Sequence, residues 1–448
     1  MKEKVLNKNK GLSFNKLLLY FSIIMFAILS YFAAYSKEPL VTFVSLGFLL
    51  IIVILADKSV LTGILISTAI IDMETISILG NTLTYSRIVT VIIILSILID
   101  RKFRLDMKTL FVVFILTASS LSTIFYIDIA PLFAWALNLL ILIALQGYYF
   151  SENKMKDIIK IVLIFGLVHV FVLFFGLLFQ PYIYNIYNGR RSIFQGVDIN
   201  RQSIAFALFA AFFVSYAMTV DRAWTKVVYF LATIISAIAI YLAGSRTSLF
   251  AILIGIFIVF MTNKYKQNRI LKISLSIILF AGLIAVFLTD NFISQSLGRF
   301  SLTEIISSSG SNRFTTYPII FKEIIPKYFL FGVGIGGQEI AITKLGYNII
   351  YYPAAHNFLI SSLAELGIFG FSSMMFLIFS SWLVLKKNAK YSSNTYILWV
   401  VFTVLLICGL GETVYSEKIT FVIIGLVFLK NIDFTRRLKK DDNNTNTI

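Results

Sequence analysis

Apolar runs of about twenty residues recur along almost the whole of this 448-residue chain, with short polar breaks between them. A run of this length forms a helix of about 30 Å, which is the thickness of a bilayer's hydrocarbon core. Hydrophobic residues make up 58% of the chain and charged residues 14%. In soluble domains, hydrophobic residues make up about 45–50% and charged residues about 25%. The pattern therefore predicts an all-α integral membrane protein, because a helix satisfies its own backbone hydrogen bonds in lipid.

We predict about twelve to fourteen transmembrane helices, packed as a single bundle over residues 17–430. A basic cytoplasmic leader, 1–16, precedes the bundle, and a cytoplasmic tail, 431–448, follows it. The tail is polar and is expected to be disordered. The candidate spans are 17–35, 39–56, 59–79, 84–100, 109–126, 130–148, 159–179, 202–220, 226–243, 246–262, 271–289, 356–385, 394–411 and 418–430.

The formal net charge of +17 could indicate a nucleic-acid partner, but its distribution argues for a membrane. About two thirds of the Lys and Arg residues fall in alternate polar breaks, beginning with the leader. Positive charge concentrates on the cytoplasmic side of membrane proteins. We therefore expect both termini in the cytoplasm and no nucleic-acid partner.

Metal and redox sites have little support in the composition. The only cysteine, Cys408, lies in an apolar run, and the chain has two histidines. A cysteine cluster is thereby excluded, and any metal site would depend mainly on carboxylates. We predict no metal and no cofactor.

Two polar loops fall on the predicted outer face, 180–201 and 290–355. The second is long enough to suggest a functional loop. Within it, residues 314–325 carry apolar side chains at helical spacing, which predicts a short helix at the membrane interface.

A group of arginines on the outer face runs against the usual charge distribution. Arginine binds phosphate through a planar fork of donors, so these residues suit a pyrophosphate group. Headgroup contact, or pairing with Asp198 and Glu339, is the alternative. Arg246 is the best placed, at a predicted helix start that itself favours an anion. The group comprises Arg190, Arg191, Arg201, Arg246, Arg299 and Arg313, of which Arg191, Arg246 and Arg313 are the main phosphate candidates.

His356 follows the large outer loop and opens the next long apolar run. At a helix start the imidazole would stay neutral and could act as a general base. The alternative is a histidine that caps the helix together with Asn357. In a continuous helix Gly367 would share a face with His356, and Glu365 would point to the opposite side. Gly370 would allow a neighbouring helix to approach closely.

Other polar groups are weaker candidates. His169 falls in the middle of a span without a charged neighbour, and we interpret it as structural. Asp72 and Glu74 could bind a sugar or a cation. The segment 332–337 matches a dinucleotide motif, but that motif requires a βαβ unit. We instead predict a flexible turn near the substrate at Gly334, and the chain contains no P-loop for ATP hydrolysis.

Four segments together resemble the O-antigen ligase and O-antigen polymerase superfamily, over about residues 185–375. Each is weak alone, but their order and common face are specific. They are His356-Asn357 followed by Gly367-Ile368-Phe369-Gly370; Gly244-Ser245-Arg246-Thr247-Ser248-Leu249; Arg191 to Asn200 with Gln202-Ser203-Ile204-Ala205; and Ser311-Asn312-Arg313 with Phe331-Gly332-Val333-Gly334. Tyr317 stands where the family pattern has tryptophan, and Arg201-Gln202 interrupts the usual spacing after Asn200.

The resemblance implies the C-type glycosyltransferase fold, with short helices in the large outer loop. It also implies a metal-independent enzyme in the bacterial cytoplasmic membrane whose active site faces outwards. Its donor and acceptor would be undecaprenyl-pyrophosphate-linked glycans, and a chain-length regulator and a flippase would be candidate partners. His356 would take the acceptor proton while three arginines hold the pyrophosphate. Additional site candidates are Arg190, Asn200, Gly334 and Asn357.

The favoured function is polymerisation of lipid-linked repeat units into an O-antigen, capsule or exopolysaccharide. A ligase would share the donor chemistry but transfer the glycan to another acceptor. A lipid-linked oligosaccharide flippase is the alternative from another class. The chain lacks a convincing internal repeat, and its ionisable groups gather at one face instead of the midplane, which disfavours transport.

Overall fold

The structure, a computed structural model, describes residues 14–36, 38–71, 84–100, 103–104, 107–121, 129–179, 184–185, 190–191, 199–243, 245–262, 313–348 and 355–427. The predicted span 271–289 and the predicted tail lie outside these residues, as does most of the leader. So do Asp72, Glu74, Asp198 and Arg299.

Helices dominate the described residues. The first ten are α1 (Phe14–Ser36), α2 (Pro39–Leu55), α3 (Lys58–Ile71), α4 (Tyr85–Leu98), α5 (Met107–Leu121), α6 (Ile129–Gly147), α7 (Glu152–Phe179), α8 (Ile199–Ala217), α9 (Ala223–Ala243) and α10 (Arg246–Thr262). Between α7 and α8, two short strands, β1 (Tyr184–Asn185) and β2 (Arg190–Arg191), pair antiparallel.

The remaining elements follow from residue 313 onwards, and the first four of them lie within the large loop. They are α11 (Arg313–Ile319), a π-helical turn (Ile320–Ile324), α12 (Ile325–Lys327), α13 (Gln338–Lys344), α14 (Phe358–Asn388), α15 (Ser393–Gly409), a 3₁₀ turn (Val414–Ser416) and α16 (Lys418–Val427). The helix predicted over 314–325 is therefore confirmed, although it passes through a π turn after Pro318.

Within the described ranges, three helices are long and apolar enough to cross a membrane on length and composition: Phe14–Ala33, Ala223–Tyr241 and Phe358–Asn388. Further apolar helices of 10–17 residues accompany them. On α9, Leu231, Ile234 and Ile238 are exposed at helical spacing. A surface stripe of this kind suits a lipid environment. The chain is thus a helical, membrane-type protein, as the hydropathy predicts.

Two helices form the centre of the bundle. Every residue of α8 from Ile204 to Val214 is buried, and so is every residue of α16. A helix that is hydrophobic on all sides is expected inside other helices instead of at a surface. α8 accordingly packs against α7, α9, α10 and α15, while α16 packs against α6 and α14.

A smaller hydrophobic cluster joins the large loop to the beginning of α14. It combines Ile320 and Ile324 of the π turn with Ile342 of α13, Ala355 and Ala364. The short helices of the loop therefore pack on the segment that contains His356.

Candidate active site

His356 and Glu412 form the central contact of the candidate site. Nδ1 of His356 lies 3.1 Å from Oε2 of Glu412. The Glu412 side chain is 8% exposed, whereas that of His356 is 34% exposed. A carboxylate bound to Nδ1 holds its hydrogen there and leaves Nε2 able to accept a proton. The pair thus combines a buried orienting group with an accessible base.

The structure corrects the predicted setting of His356. The histidine lies two residues before α14 and has φ 45°, in the left-handed region that non-glycine residues seldom adopt. His356 therefore lies outside the helix, and the contact with Glu412 orients its ring. Asn357, and not His356, caps the helix.

Four hydrogen bonds fix the backbone on both sides of His356. The Asn357 side-chain oxygen accepts from the N–H groups of Leu359 and Ile360, and its Nδ2 donates to the carbonyl of Leu410 at 3.0 Å. Before His356, the Tyr317 hydroxyl donates to the carbonyl of Ala355 at 3.3 Å. Tyr317, where the family pattern has tryptophan, thus connects α11 to the histidine segment.

The glycine-rich segment 409–412 connects His356 to the beginning of α10. A Cβ on Gly411 would lie 2.4 Å from Thr247 Oγ1, so only glycine allows this approach. Thr247 follows Arg246, the first residue of α10, as predicted. Gly411 precedes Glu412. Segment 409–412 therefore contacts the start of α10 through Gly411 and His356 through Glu412.

A break in α14 holds the glycine turn of the large loop. Gly367 has φ 61° and ψ −172°, so the helical hydrogen bonds fail there. The freed carbonyls of Ala364 and Glu365 accept from Val333 and Gly334 at 3.0 and 2.8 Å. The N–H groups of Ile368 and Phe369 donate to Phe329 and Leu330. Segment 329–334 thus replaces one turn of hydrogen bonds in α14.

This break corrects two predictions. The shared face of His356 and Gly367 assumed a continuous helix, which α14 is not. The turn at Gly334 was predicted to be flexible, but it is bonded to α14 on both sides of the break. Gly370 does permit close packing, since a Cβ there would lie 2.8 Å from Ser119 of α5.

A second polar cluster lies where α8 and α16 begin. Nη2 of Arg201 is 3.4 Å from Oε1 of Glu417. The next residue, Lys418, is buried and donates to the Ser86 hydroxyl. A buried ammonium needs such partners, because its desolvation is costly. This cluster follows the 3₁₀ turn and is five or six residues from Glu412 in the chain.

For the other predicted site residues, we give the element to which each belongs. Arg190 and Arg191 form β2, which packs against α9, the helix before Ser245 and Arg246. Arg313 is the first residue of α11. The π-helical turn that follows α11 packs on the segment that contains His356. Asn200 lies in the first turn of α8. The elements that carry these candidates therefore surround one end of the bundle, which we call the site end: the end where α8, α10 and α14 begin.

His169 belongs to the interior, in agreement with its structural interpretation. It is 1% exposed, and its Nδ1 lies 2.6 Å from the Tyr31 hydroxyl. The rings of Phe206 and Phe209 pack within about 5 Å of it.

Sequence reasoning missed Glu412, Glu417 and Lys418. All three lie at the ends of apolar segments, where an ionisable group is costly and so indicates a function. That signal was available, but their partners lie far away in the chain. Among the described residues, no group of three or more His, Cys, Asp or Glu side chains is placed to hold a metal ion.

Comparison with known proteins gives an independent result. Residues 231–375 match a family model described as O-antigen ligase. No curated protein matches the chain. The matched segment covers about a third of the sequence and includes Arg246, Arg313, the glycine turn, His356 and the break in α14. It supports a glycosyltransferase-like function of the O-antigen ligase and polymerase type in general. The match over residues 231–375 supports membership of the O-antigen polymerase and ligase superfamily.

Proposed function

We propose that this protein polymerises undecaprenyl-pyrophosphate-linked repeat units into a surface polysaccharide, such as an O-antigen, capsule or exopolysaccharide. The observation that supports the chemistry most directly is the 3.1 Å contact between His356 Nδ1 and the buried Glu412 carboxylate. It equips one accessible nitrogen, Nε2, to act as a base at the site end.

In the proposed step, Nε2 of His356 takes the proton from a hydroxyl of the acceptor sugar. The hydroxyl oxygen then bonds to C1 of the donor sugar, and the bond between C1 and the pyrophosphate oxygen breaks. The lipid pyrophosphate leaves with the bonding electron pair. Glu412 stabilises the imidazolium that forms, without taking the proton itself.

The leaving pyrophosphate requires positive charge, which we assign to Arg191, Arg246 and Arg313. Guanidinium groups fixed where charge develops lower the barrier without reorganisation. Support comes from Arg246, which begins α10, a helix whose second residue contacts the segment of Glu412. A helix start adds free N–H groups that favour an anion. Arg190, Asn200 and Gly334 are further candidates for substrate contact.

Because the energy is stored in the pyrophosphate linkage, the proposed reaction needs no ATP, and the arginines supply the charge that a metal would otherwise provide. We propose a metal-independent enzyme of the bacterial cytoplasmic membrane. Its site end would face outwards, with both termini in the cytoplasm. A chain-length regulator and a flippase would be its protein partners.

A ligase reaction is the second candidate, because the matching family is described by that activity. It would use the same donor site but transfer the glycan to an acceptor other than a lipid-linked repeat. The contact between His356 and Glu412 suits either acceptor.

A reconstituted reaction distinguishes the two functions. Purified protein in liposomes receives one kind of lipid-linked repeat unit and no other acceptor, with EDTA present. A polymerase converts the units into a ladder of longer chains. Absence of a ladder, with transfer restored only by a second acceptor, would establish the ligase. In a deletion strain, single repeats attached to the normal acceptor indicate a lost polymerase, whereas free lipid-linked polymer indicates a lost ligase.

A further inference from the structure

A cavity of about 590 Å³ lies at the opposite end of the bundle from His356. It is formed where α8 and α10 end and where α14 turns into α15. Thr219 and Thr262 line it from the first two helices, and Tyr396 and Trp399 line it from α15. We call this space the far-end cavity. It shares no residue with the candidate active site.

The walls of the far-end cavity are mainly apolar, and two lysines stand at its rim. Lys386 and Lys390 both line it and are exposed. The Lys386 ammonium lies 4.9 Å from the ring centre of Trp382. Lysines beside tryptophan at a helix end are typical of the zone where lipid headgroups meet hydrocarbon.

Aromatic rings form part of the cavity wall. Tyr396 and Trp399 both line the cavity, and the centres of their rings lie 6.3 Å apart. The hydrocarbon part of a bound lipid would cover these rings.

The nearby carboxylate does not cancel the positive rim. Glu152 Oε1 accepts hydrogen bonds from the Ser392 hydroxyl at 2.6 Å and from Asn394 at 2.7 Å. Glu152 is therefore already bound by two donors, whereas both lysines line the cavity itself.

We propose that the far-end cavity binds one anionic phospholipid from the leaflet at that end of the bundle. The phosphate would lie at Lys386 and Lys390, with an acyl chain against Tyr396 and Trp399. Basic cavities between helices at a membrane surface suit such headgroups, because a polar head and an apolar tail are recognised together. This site is separate from the glycosyl-transfer chemistry.

The test is native mass spectrometry of the full-length protein in detergent, titrated with dioleoyl phosphatidylglycerol. We expect the wild type to retain one lipid. Lys386→Ala combined with Lys390→Ala should raise its Kd about tenfold or more. The control, Lys156→Ala with Lys387→Ala, removes the same charge from exposed positions outside the cavity wall. It should leave the Kd within about twofold.

Equal losses in the two double variants would overturn the proposal, as they would indicate diffuse charge attraction. The proposal would also be overturned if the wild type retained phosphatidylcholine as well as it retains phosphatidylglycerol. Displacement of the lipid by millimolar inorganic phosphate would show a small-anion site instead.

Discussion

At the residue scale, the candidate chemistry depends on two side chains that are 56 positions apart. His356 could be selected from the sequence because it is a rare polar residue at the edge of an apolar run. Glu412 could not be assigned to it, since no periodicity relates positions in two separate connecting segments. The buried carboxylate and exposed imidazole divide the roles of orientation and proton transfer.

Glu412→Gln should lower the rate of glycosyl transfer about 10- to 100-fold, the usual loss when an orienting partner is removed. The amide keeps the size of the side chain but loses the charge that stabilises the imidazolium. The assay is the initial rate of glycosyl transfer with reconstituted protein.

Glu339→Gln is the matched control, because Glu339 is an exposed carboxylate of α13 in the large loop. It should keep the wild-type rate. If Glu412→Gln also kept the wild-type rate, Glu412 would have no part in orienting His356.

Tyr317→Phe should reduce the rate about threefold to tenfold, which corresponds to one lost hydrogen bond. Its hydroxyl holds the carbonyl of Ala355, directly before His356. Tyr347→Phe provides the comparison, since it removes a bond to Glu323 from the same small cluster. The two variants are compared by kcat. A larger loss for Tyr347→Phe would disagree with a positioning role for Tyr317.

At the scale of elements, the break in α14 is the feature that joins the large loop to the helix of the site. The sequence identified Gly332, Gly334 and Gly367 as a family pattern, but hydropathy predicted one continuous helix. A run of apolar residues does not show that a glycine adopts positive φ. Nor does it show which outside N–H groups will replace the helical ones.

Gly332→Ala should detach segment 329–334 from α14 and destabilise the site. A Cβ there would lie 2.3 Å from the Glu365 carbonyl, and Gly332 has φ +71°. We expect a lower melting temperature, faster proteolysis of the loop and loss of most activity.

Gly346→Ala distinguishes the effect of the close contact from the effect of the positive φ. Gly346 has φ +87° but no atom within 4 Å of the added Cβ. It should cost only the strain of that backbone conformation, about 1–2 kcal/mol. Equal destabilisation by both substitutions would show that the close approach to α14 contributes nothing.

At the scale of the molecule, the helices followed closely from hydropathy. Thirteen of the predicted spans coincide with described helices, to within a few residues at most ends. This agreement has a simple reason, since the same polar breaks bound the apolar runs in the sequence and the helices that they form. The arrangement of those helices needed contacts between distant residues, such as Thr247 with Gly411, which composition does not contain.

The predicted orientation can be measured by cysteine labelling. Cys408 is buried, so a Cys408→Ala background should preserve the fold with a small change in packing. In spheroplasts, Glu339→Cys should react with a membrane-impermeant maleimide, whereas Lys387→Cys should react only after permeabilisation. The reverse pattern would place the site end in the cytoplasm and contradict the proposed donor.

The most direct test of the central claim is the initial rate of glycosyl transfer by His356→Ala in liposomes with defined lipid-linked repeats. Expression and membrane insertion are matched to wild type. Loss of the base predicts a rate about 10²- to 10⁴-fold lower. A rate for His356→Ala within about twofold of wild type would contradict proton transfer by this histidine.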